Sequence, residues 1–587
     1  AGALTNYTEG AEVSERSGLK GYGAYWLNGV ANANLALRRY GDAEAFSRQA
    51  LQRAQKMDDT ETITDSYNTL AELSLRSGQL DQAEKYNRQA TQLEEQSKDG
   101  FGLRASKILA GRIDLRRGNN AQAQQQFREI AADPKLDTAL KWELHARLAE
   151  LYDAENLTPL ADREYRLCIN TIEIARQSVD RDDLRLSYLA SGIEFYDDYI
   201  NFLIAHSRAN DALGVAELSR ARTLTDGLAS TSRAVAPLNN SSRQQISQKF
   251  KAAILFYWIG QKQSHLWVIG PAKTVHFSLP AAAQIEPLVN SYRDTVLRIR
   301  AADEIDSSAG KQLYAMLVAP AGKLIQKNSS VIILPDDRLA GLNFETLVVD
   351  DPQPHFWIED VTLTTASSLT LLAASATRAT SSNNSLMLVG NTISPNDDFP
   401  ALPNAAEEIK VVEKYFPSEQ REILEKAAAT PTAYARGRPE RFAYLHFVTH
   451  GTASVTRPLE SAVILSKEGD SYKLYAREIV KHPLTAQLVT ISACEGAGKR
   501  AYSGEGLIGL SWAFLRAGAH NVVGALWEVS DSSTPQFMDV FYSELAKGRS
   551  PASALRTAKL SLLHSQDTQS VFKKPYYWAP FQLYAGS

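Results

Sequence analysis

The residues best suited to chemistry in this chain are a histidine and a cysteine, each closing an apolar, β-rich run. AYLHFVTH (443–450) ends on His450 and is followed by Gly451; QLVTISAC (487–494) ends on Cys494. Runs of this kind read as buried strands of a parallel sheet, and in such sheets the reactive residues sit at the carboxyl ends of the strands. The two residues are 44 positions apart, enough for one strand, a helix-length stretch and loops. That spacing can return the chain to the same sheet edge and set His450 beside Cys494. A thiol needs thiolate character to act as a nucleophile, and a neighbouring imidazole supplies it. Gly451 has no side chain, so its backbone N–H can face a reacting carbonyl. Together with the N–H of Cys494 it would form an oxyanion hole. The expected catalytic pair is therefore His450 and Cys494, with Gly451 and Cys494 as oxyanion donors.

Other residues enter as supporting cast. Cys168 occupies a slot filled elsewhere by alanine and reads as packing, since free cysteine behaves as a small buried hydrophobe. His446 precedes His450 by four, on the same face of a strand. A metal pair is conceivable there, but no Cys/His/carboxylate cluster supports it, so a packed or hydrogen-bonded histidine is expected and no metal site. Glu505, in SGEGL, caps a helix or orders the loop after Cys494. Asp531 follows NVVGALW and has two readings of equal weight. It caps the helix that starts near Thr534-Pro535, or it forms one wall of the substrate cleft. Both Glu505 and Asp531 are thus candidate substrate-binding residues.

The elements that must position these groups fall into two textures. The first third repeats itself at a lag of 40: Ala43, Ala83 and Ala123, each followed seven residues later by Ala50, Ala90 and Ile130. Gly78 and Gly118 stand five residues before two of these alanines, while Arg38 holds that place in the first copy. A further copy surrounds Ala161, Tyr165 and Cys168, and a degenerate one surrounds Ala212. Small alanines let paired helices approach closely, and one such hairpin cannot bury its own apolar face, so hairpins stack. Beyond about residue 240, short apolar runs alternate with helical patterns, which argues for an α/β region with a mainly parallel sheet.

Composition sets outer limits. The chain has 587 residues, a net charge of −4 and two cysteines, with 44% hydrophobic and 22% charged residues. Global disorder and a disulfide framework are excluded, and no basic excess advertises a nucleic-acid partner. The longest charge-free run, VTLTTASSLTLLAASAT, is too short and too rich in Thr and Ser to span a membrane. A cytoplasmic location is expected. The chain starts on Ala, so a removed signal peptide would leave no trace.

The helical segments resemble tetratricopeptide (TPR) repeats. HFVTHG, TISACEGAG, GEGLIGLSWAFLRAGAHNVVGALWEVSD and the terminal YYWAPFQLYAG, in that order, resemble the CHAT family of caspase-like cysteine peptidases. ELSRARTLTDGL, LPDDRLAGLNFETL and LPNAAEEI extend the match upstream. The resemblance implies peptide-bond hydrolysis by a Cys–His dyad, with Cys494 as nucleophile and His450 as acid/base, and no cofactor. It also implies a protein substrate and a protein regulator docking on the repeats. Separase, a distant relative, places an acidic residue in a context like that of Asp531 to receive a basic side chain. The expected organisation is a TPR-like α-solenoid over residues 1–235, a non-catalytic half of the CHAT domain over 240–375 and a caspase-like catalytic half over 385–587. The alternatives are a TPR scaffold whose peptidase fold only binds, or a different Cys–His acyl-transfer enzyme.

Overall fold

The computed structural model describes residues 2–18, 20–179, 182–220, 238–298, 308–375, 384–454, 457–493, 496, 500–502, 506–566 and 571–585. The chain divides into two compact units, Ala1–Val179 and Asp180–Ser587.

The first unit is a TPR-like array of paired helices: Lys20–Ala36 with Tyr40–Gln55, Thr60–Arg76 with Leu80–Ser97, Gly100–Arg117 with Asn120–Ala131, and Thr138–Ala154 with Thr158–Gln177. The alanines that recur at a lag of 40 are fully buried, as is Cys168. Equivalent positions repeat their bonds as well. The Ser47 hydroxyl donates to the Ser66 carbonyl, and 40 residues later the Asn87 amide donates to the Ser106 carbonyl. In the third copy Phe127 takes that position and fills the space over Gly111, where any Cβ would strike its ring.

The turn inside each hairpin follows one rule, whatever residue occupies it. Gly78 and Gly118 take left-handed backbone at φ 75° and 80°, and Arg38, Asn156 and Ser207 do the same at about 60°. These are the positions five residues before Ala43, Ala83, Ala123, Ala161 and Ala212. A side chain there carries a Cβ clash that glycine avoids. Arg38→Gly is therefore expected to stabilise the first hairpin by about 0.5–1 kcal/mol, the clash relieved less the extra freedom of the unfolded chain. Hydrogen exchange of the amides in Lys20–Ala36 and Tyr40–Gln55 would report it as slower opening; faster opening would show that the arginine side chain holds the turn.

The second unit opens with helices Asp182–Ala205 and Ala209–Leu218 and is built on an eleven-stranded sheet among the described residues. In spatial order its strands are Thr274–Leu279, Ser264–Ile269, Ala252–Trp258, Ser330–Leu334, Thr362–Ala366, Phe581–Ala585, Asn521–Ala525, Leu488–Ser492, Tyr444–Val448, Leu386–Thr392 and Arg421–Lys426. Most neighbours run parallel. The exceptions are the hairpin pairings around Ser264–Ile269 and the pairing of Phe581–Ala585 with Asn521–Ala525. The central strands are buried on both faces, which is why they read as continuous apolar runs. Ala462–Glu468 lies apart from this sheet, in a small antiparallel one with His450–Thr452 and Ser471–Tyr475.

Phe581–Ala585 stitches two subsheets together. On one side it pairs with Asn521–Ala525, on the other with Thr362–Ala366. Polar contacts reinforce this seam. The Asn343 side chain donates to the Ala579 carbonyl at 2.6 Å, and buried Lys559 pairs with buried Glu345. Upstream, buried Arg220 donates to the Pro335 carbonyl at 2.7 Å and lies over the Phe256 ring. The motifs around Arg220 and Asn343 are thus architectural in these contacts.

Candidate active site

Tyr444–Val448 and Leu488–Ser492 run parallel and in register, with Val448 opposite Ser492. Beyond this pair the Thr449 N–H still reaches the Ser492 carbonyl at 3.3 Å. The chain then swings out of the sheet. The Thr449 hydroxyl donates to the Ile464 carbonyl, and His450, Gly451 and Thr452 pair with Ile464, Val463 and Ala462. His450 and Gly451 therefore stand on a short strand at the carboxyl edge, both partly exposed. Cys494 and Glu505 lie outside the described residues. Gly496, two positions beyond the cysteine, is held: its carbonyl accepts the Ser511 N–H and hydroxyl at 2.9 and 3.0 Å, at the start of helix Leu510–Ala517.

His450 has a partner that its own neighbourhood in the sequence does not announce. Its Nε2 meets the Pro400 carbonyl at 2.7 Å, and the Phe399 ring lies 5.9 Å from the imidazole. A carbonyl only accepts, so Nε2 carries the hydrogen and the neutral ring keeps its lone pair on Nδ1. Nδ1 has no hydrogen-bond partner among the described residues. It is the atom free to take a proton.

Beneath this edge lies a buried polar network. His446 is fully enclosed; its Nδ1 is 2.9 Å from the Tyr542 hydroxyl and its Nε2 is 3.0 Å from Glu408, while Tyr542 also reaches Thr490 at 3.1 Å. Every polar atom of the imidazole is thereby engaged, as a buried ring requires. His446 stands on Tyr444–Val448 and His450 on the short strand beyond it, and their ring nitrogens meet different partners. Among the described residues, no three His, Cys, Asp or Glu side chains gather to hold a metal ion.

Asp531 is a cap, but for a different helix. Thr534–Ala546 begins at Ser533, and the Ser533 and Thr534 hydroxyls donate back to the Ser530 carbonyl. The Asp531 carboxylate instead accepts both the backbone N–H and the side-chain amide of Asn404, each at 2.9 Å on Oδ2. Asn404 opens helix Ala405–Glu413, whose positive end favours a carboxylate. Pro400 and Asn404 belong to one short stretch, FPALPN, so His450 and Asp531 grip its two ends. Sequence reasoning missed Phe399, Pro400 and Asn404. Two prolines three positions apart, Pro400 and Pro403, before an acidic helix start were the available signal.

The CHAT domain family model matches residues 307–587. Tetratricopeptide repeat protein 28 of Mus musculus is 34% identical over 110 residues, which make up 19% of this chain and 4% of that protein. Its Homo sapiens counterpart is 31% identical over 110 residues, with the same shares. The chain thus matches only a small part of the length of these curated relatives. Among solved structures, separase in the Saccharomyces cerevisiae separase–securin complex aligns with 97% of this chain and 50% of its own, at 10% identity and a TM-score of 0.45. The Arg-specific cysteine proteinase gingipain R aligns with 52% of this chain and 74% of its own, at 11% identity and a TM-score of 0.33. In the described residues no helix is long and apolar enough to cross a membrane.

Proposed function

Residues 307–587 are a CHAT domain, preceded in the chain by a TPR-like helical array, and we propose that the protein is a cysteine endopeptidase that cuts a protein substrate at few sites. The observation that carries this reading is the His450–Pro400 bond, which occupies Nε2 and leaves Nδ1 without a partner among the described residues, two positions beyond a strand in register with Leu488–Ser492. Cys494 follows Ser492 by two residues, as His450 follows Val448 by two. In this reading His450 takes the thiol proton and the thiolate attacks the scissile carbonyl, forming a C–S bond while the N–H groups of Gly451 and Cys494 hold the oxyanion. The C–N bond then breaks as His450 returns its proton to the leaving amine. Water, deprotonated by the same histidine, attacks the thioester and restores the thiol. Residues 240–375 would brace the catalytic half at 385–587, Glu505 would order the loop after Cys494, and the repeats would recruit the substrate or a protein regulator.

Asp531 is partly exposed, and its Oδ1 has no hydrogen-bond partner among the described residues. That supports a basic substrate side chain there, preferentially arginine, whose planar fork matches a carboxylate. The test is mapping of new protein N-termini in cells expressing the wild type or Cys494→Ala. New termini preceded by Arg or Lys, present only with the wild type, are expected. Asp531→Asn should weaken the preference about tenfold, because the amide keeps the shape and loses the charge that a bound arginine side chain would pair with. Identical maps from wild type and Cys494→Ala would reduce the domain to a binding module. Cleavage with no basic preference would remove the pocket role alone.

A further inference from the structure

We infer that Asp531 is a positioning residue: through Asn404 it fixes the Pro400 carbonyl that sets the tautomer and plane of His450. The inference rests on the peptidase reading of the same site and adds a part that the reading does not need. Pro400 is mostly exposed, so the groups that place its carbonyl must act along the chain. Only Ala401, Leu402 and Pro403 separate it from Asn404. Proline at 400 and 403 fixes two φ angles, and Leu402 packs on the main core of the second unit. The stretch is therefore a short, stiff arm.

The arm is pinned at its far end twice. Asp531 Oδ2 receives two N–H groups from Asn404. One helical turn on, fully buried His446 receives Glu408. His446 stands on Tyr444–Val448, the strand that leads directly into His450, so the second pin keeps the helix in step with the segment from which the imidazole emerges. The first pin is nearer to Pro400 and faces the helix start, so it governs the tilt of the arm. Charge-assisted bonds of this kind are the strong ones. If they fail, the carbonyl leaves Nε2, the ring is free to turn, and the hydrogen is no longer confined to Nε2. A smaller share of the protein then presents a bare Nδ1 to the thiol.

One oxygen of Asp531 would thus serve position and the other specificity, and the two roles separate experimentally. The readout is the rate at which iodoacetamide alkylates Cys494 in the full chain, followed by mass spectrometry of the peptide carrying it. This small reagent needs the thiolate and no substrate pocket, and Cys168 is buried. Asn404→Asp sets a carboxylate against Asp531 and should slow alkylation about tenfold, since misplacement of a supporting group propagates to the thiolate. Combining it with Asp531→Asn restores one carboxylate and one amide, exchanged, and should recover most of the rate. His450→Ala marks the floor. If Asn404→Asp alkylates at the wild-type rate while His450→Ala is slow, the positioning role is overturned and the dyad stands. If neither variant slows the reaction, the pairing of His450 with Cys494 falls, and this inference with it. If Asn404→Asp is slow but the exchanged pair stays equally slow, the loss reflects damage to the fold, and the assignment to Asp531 is overturned.

Discussion

Cys494→Ala is expected to abolish peptide cleavage, and His450→Ala to lower it by about 10²–10⁴-fold, the contribution of a positioned acid–base group. The chain has two cysteines, and Cys168 is buried in the helical array, so no second thiol could stand in for Cys494. The histidine variant is expected to keep a residue of activity, because a small fraction of thiolate forms unaided and the backbone donors at Gly451 remain. The loss should fall on kcat and on kcat/KM together, as the interaction belongs to the transition state. A peptide spanning a mapped cleavage site, assayed under single-turnover conditions, checks this. Full turnover by either variant would end the peptidase assignment.

Lys559→Met is expected to destabilise the second unit by about 3–5 kcal/mol, the usual consequence of stranding one member of a buried ion pair. Lys559 is fully buried and Glu345 is 5% exposed. Burial pushes the Lys559 ammonium down from its ordinary pKa, against the pull of Glu345. Remove the ammonium and the carboxylate has neither water nor a cation. Glu345 also sits in the turn where Asn343 holds the Ala579 carbonyl, so its strain would reach the seam beside Phe581–Ala585. Lys559→Met/Glu345→Gln should recover most of the loss, because an apolar or neutral replacement of the whole pair is close to neutral. Urea unfolding followed by the fluorescence of nearby Trp357 and Trp578 gives the numbers. A single-variant cost below about 1 kcal/mol would match the value of a solvent-screened pair and overturn the account.

What was legible in the sequence was the part written in side chains. The lag of 40 exposed the array because small alanines are needed wherever two helices touch. The turn rule was half hidden, since Arg38, Asn156 and Ser207 adopt the backbone of Gly78 and Gly118 without being glycine. Strands such as Ser330–Leu334 and Leu488–Ser492 were plain, being mostly Val, Ile and Leu. Thr362–Ala366 and Arg421–Lys426 were not. The first is mostly threonine, three residues of five, and the second lies on a sheet edge with charged side chains turned to water. The apolar run at Ala462–Glu468 was visible as a strand, but periodicity carries no information about which sheet receives it. At the site, His450 stood out as a reactive type at a strand end. Pro400 could not, because it contributes a backbone carbonyl that every residue has. The Asn404–Asp531 contact joins residues 127 positions apart through ordinary polar groups, and no local pattern encodes such a meeting.

The stitching strand also has a place in time. Every other strand of the eleven-stranded sheet precedes Phe581–Ala585 in the chain. On the ribosome, both subsheets emerge before the piece that joins them, and Thr362–Ala366 and Asn521–Ala525 wait as unpaired edges, a state in which strands are prone to wrong partners. Translation thus delivers the two subsheets before the strand that joins them, and only the passage of residues 581–585 out of the exit tunnel lets them become one sheet. A nascent chain is long enough to carry His450 and Cys494 well before it can close the sheet that supports them.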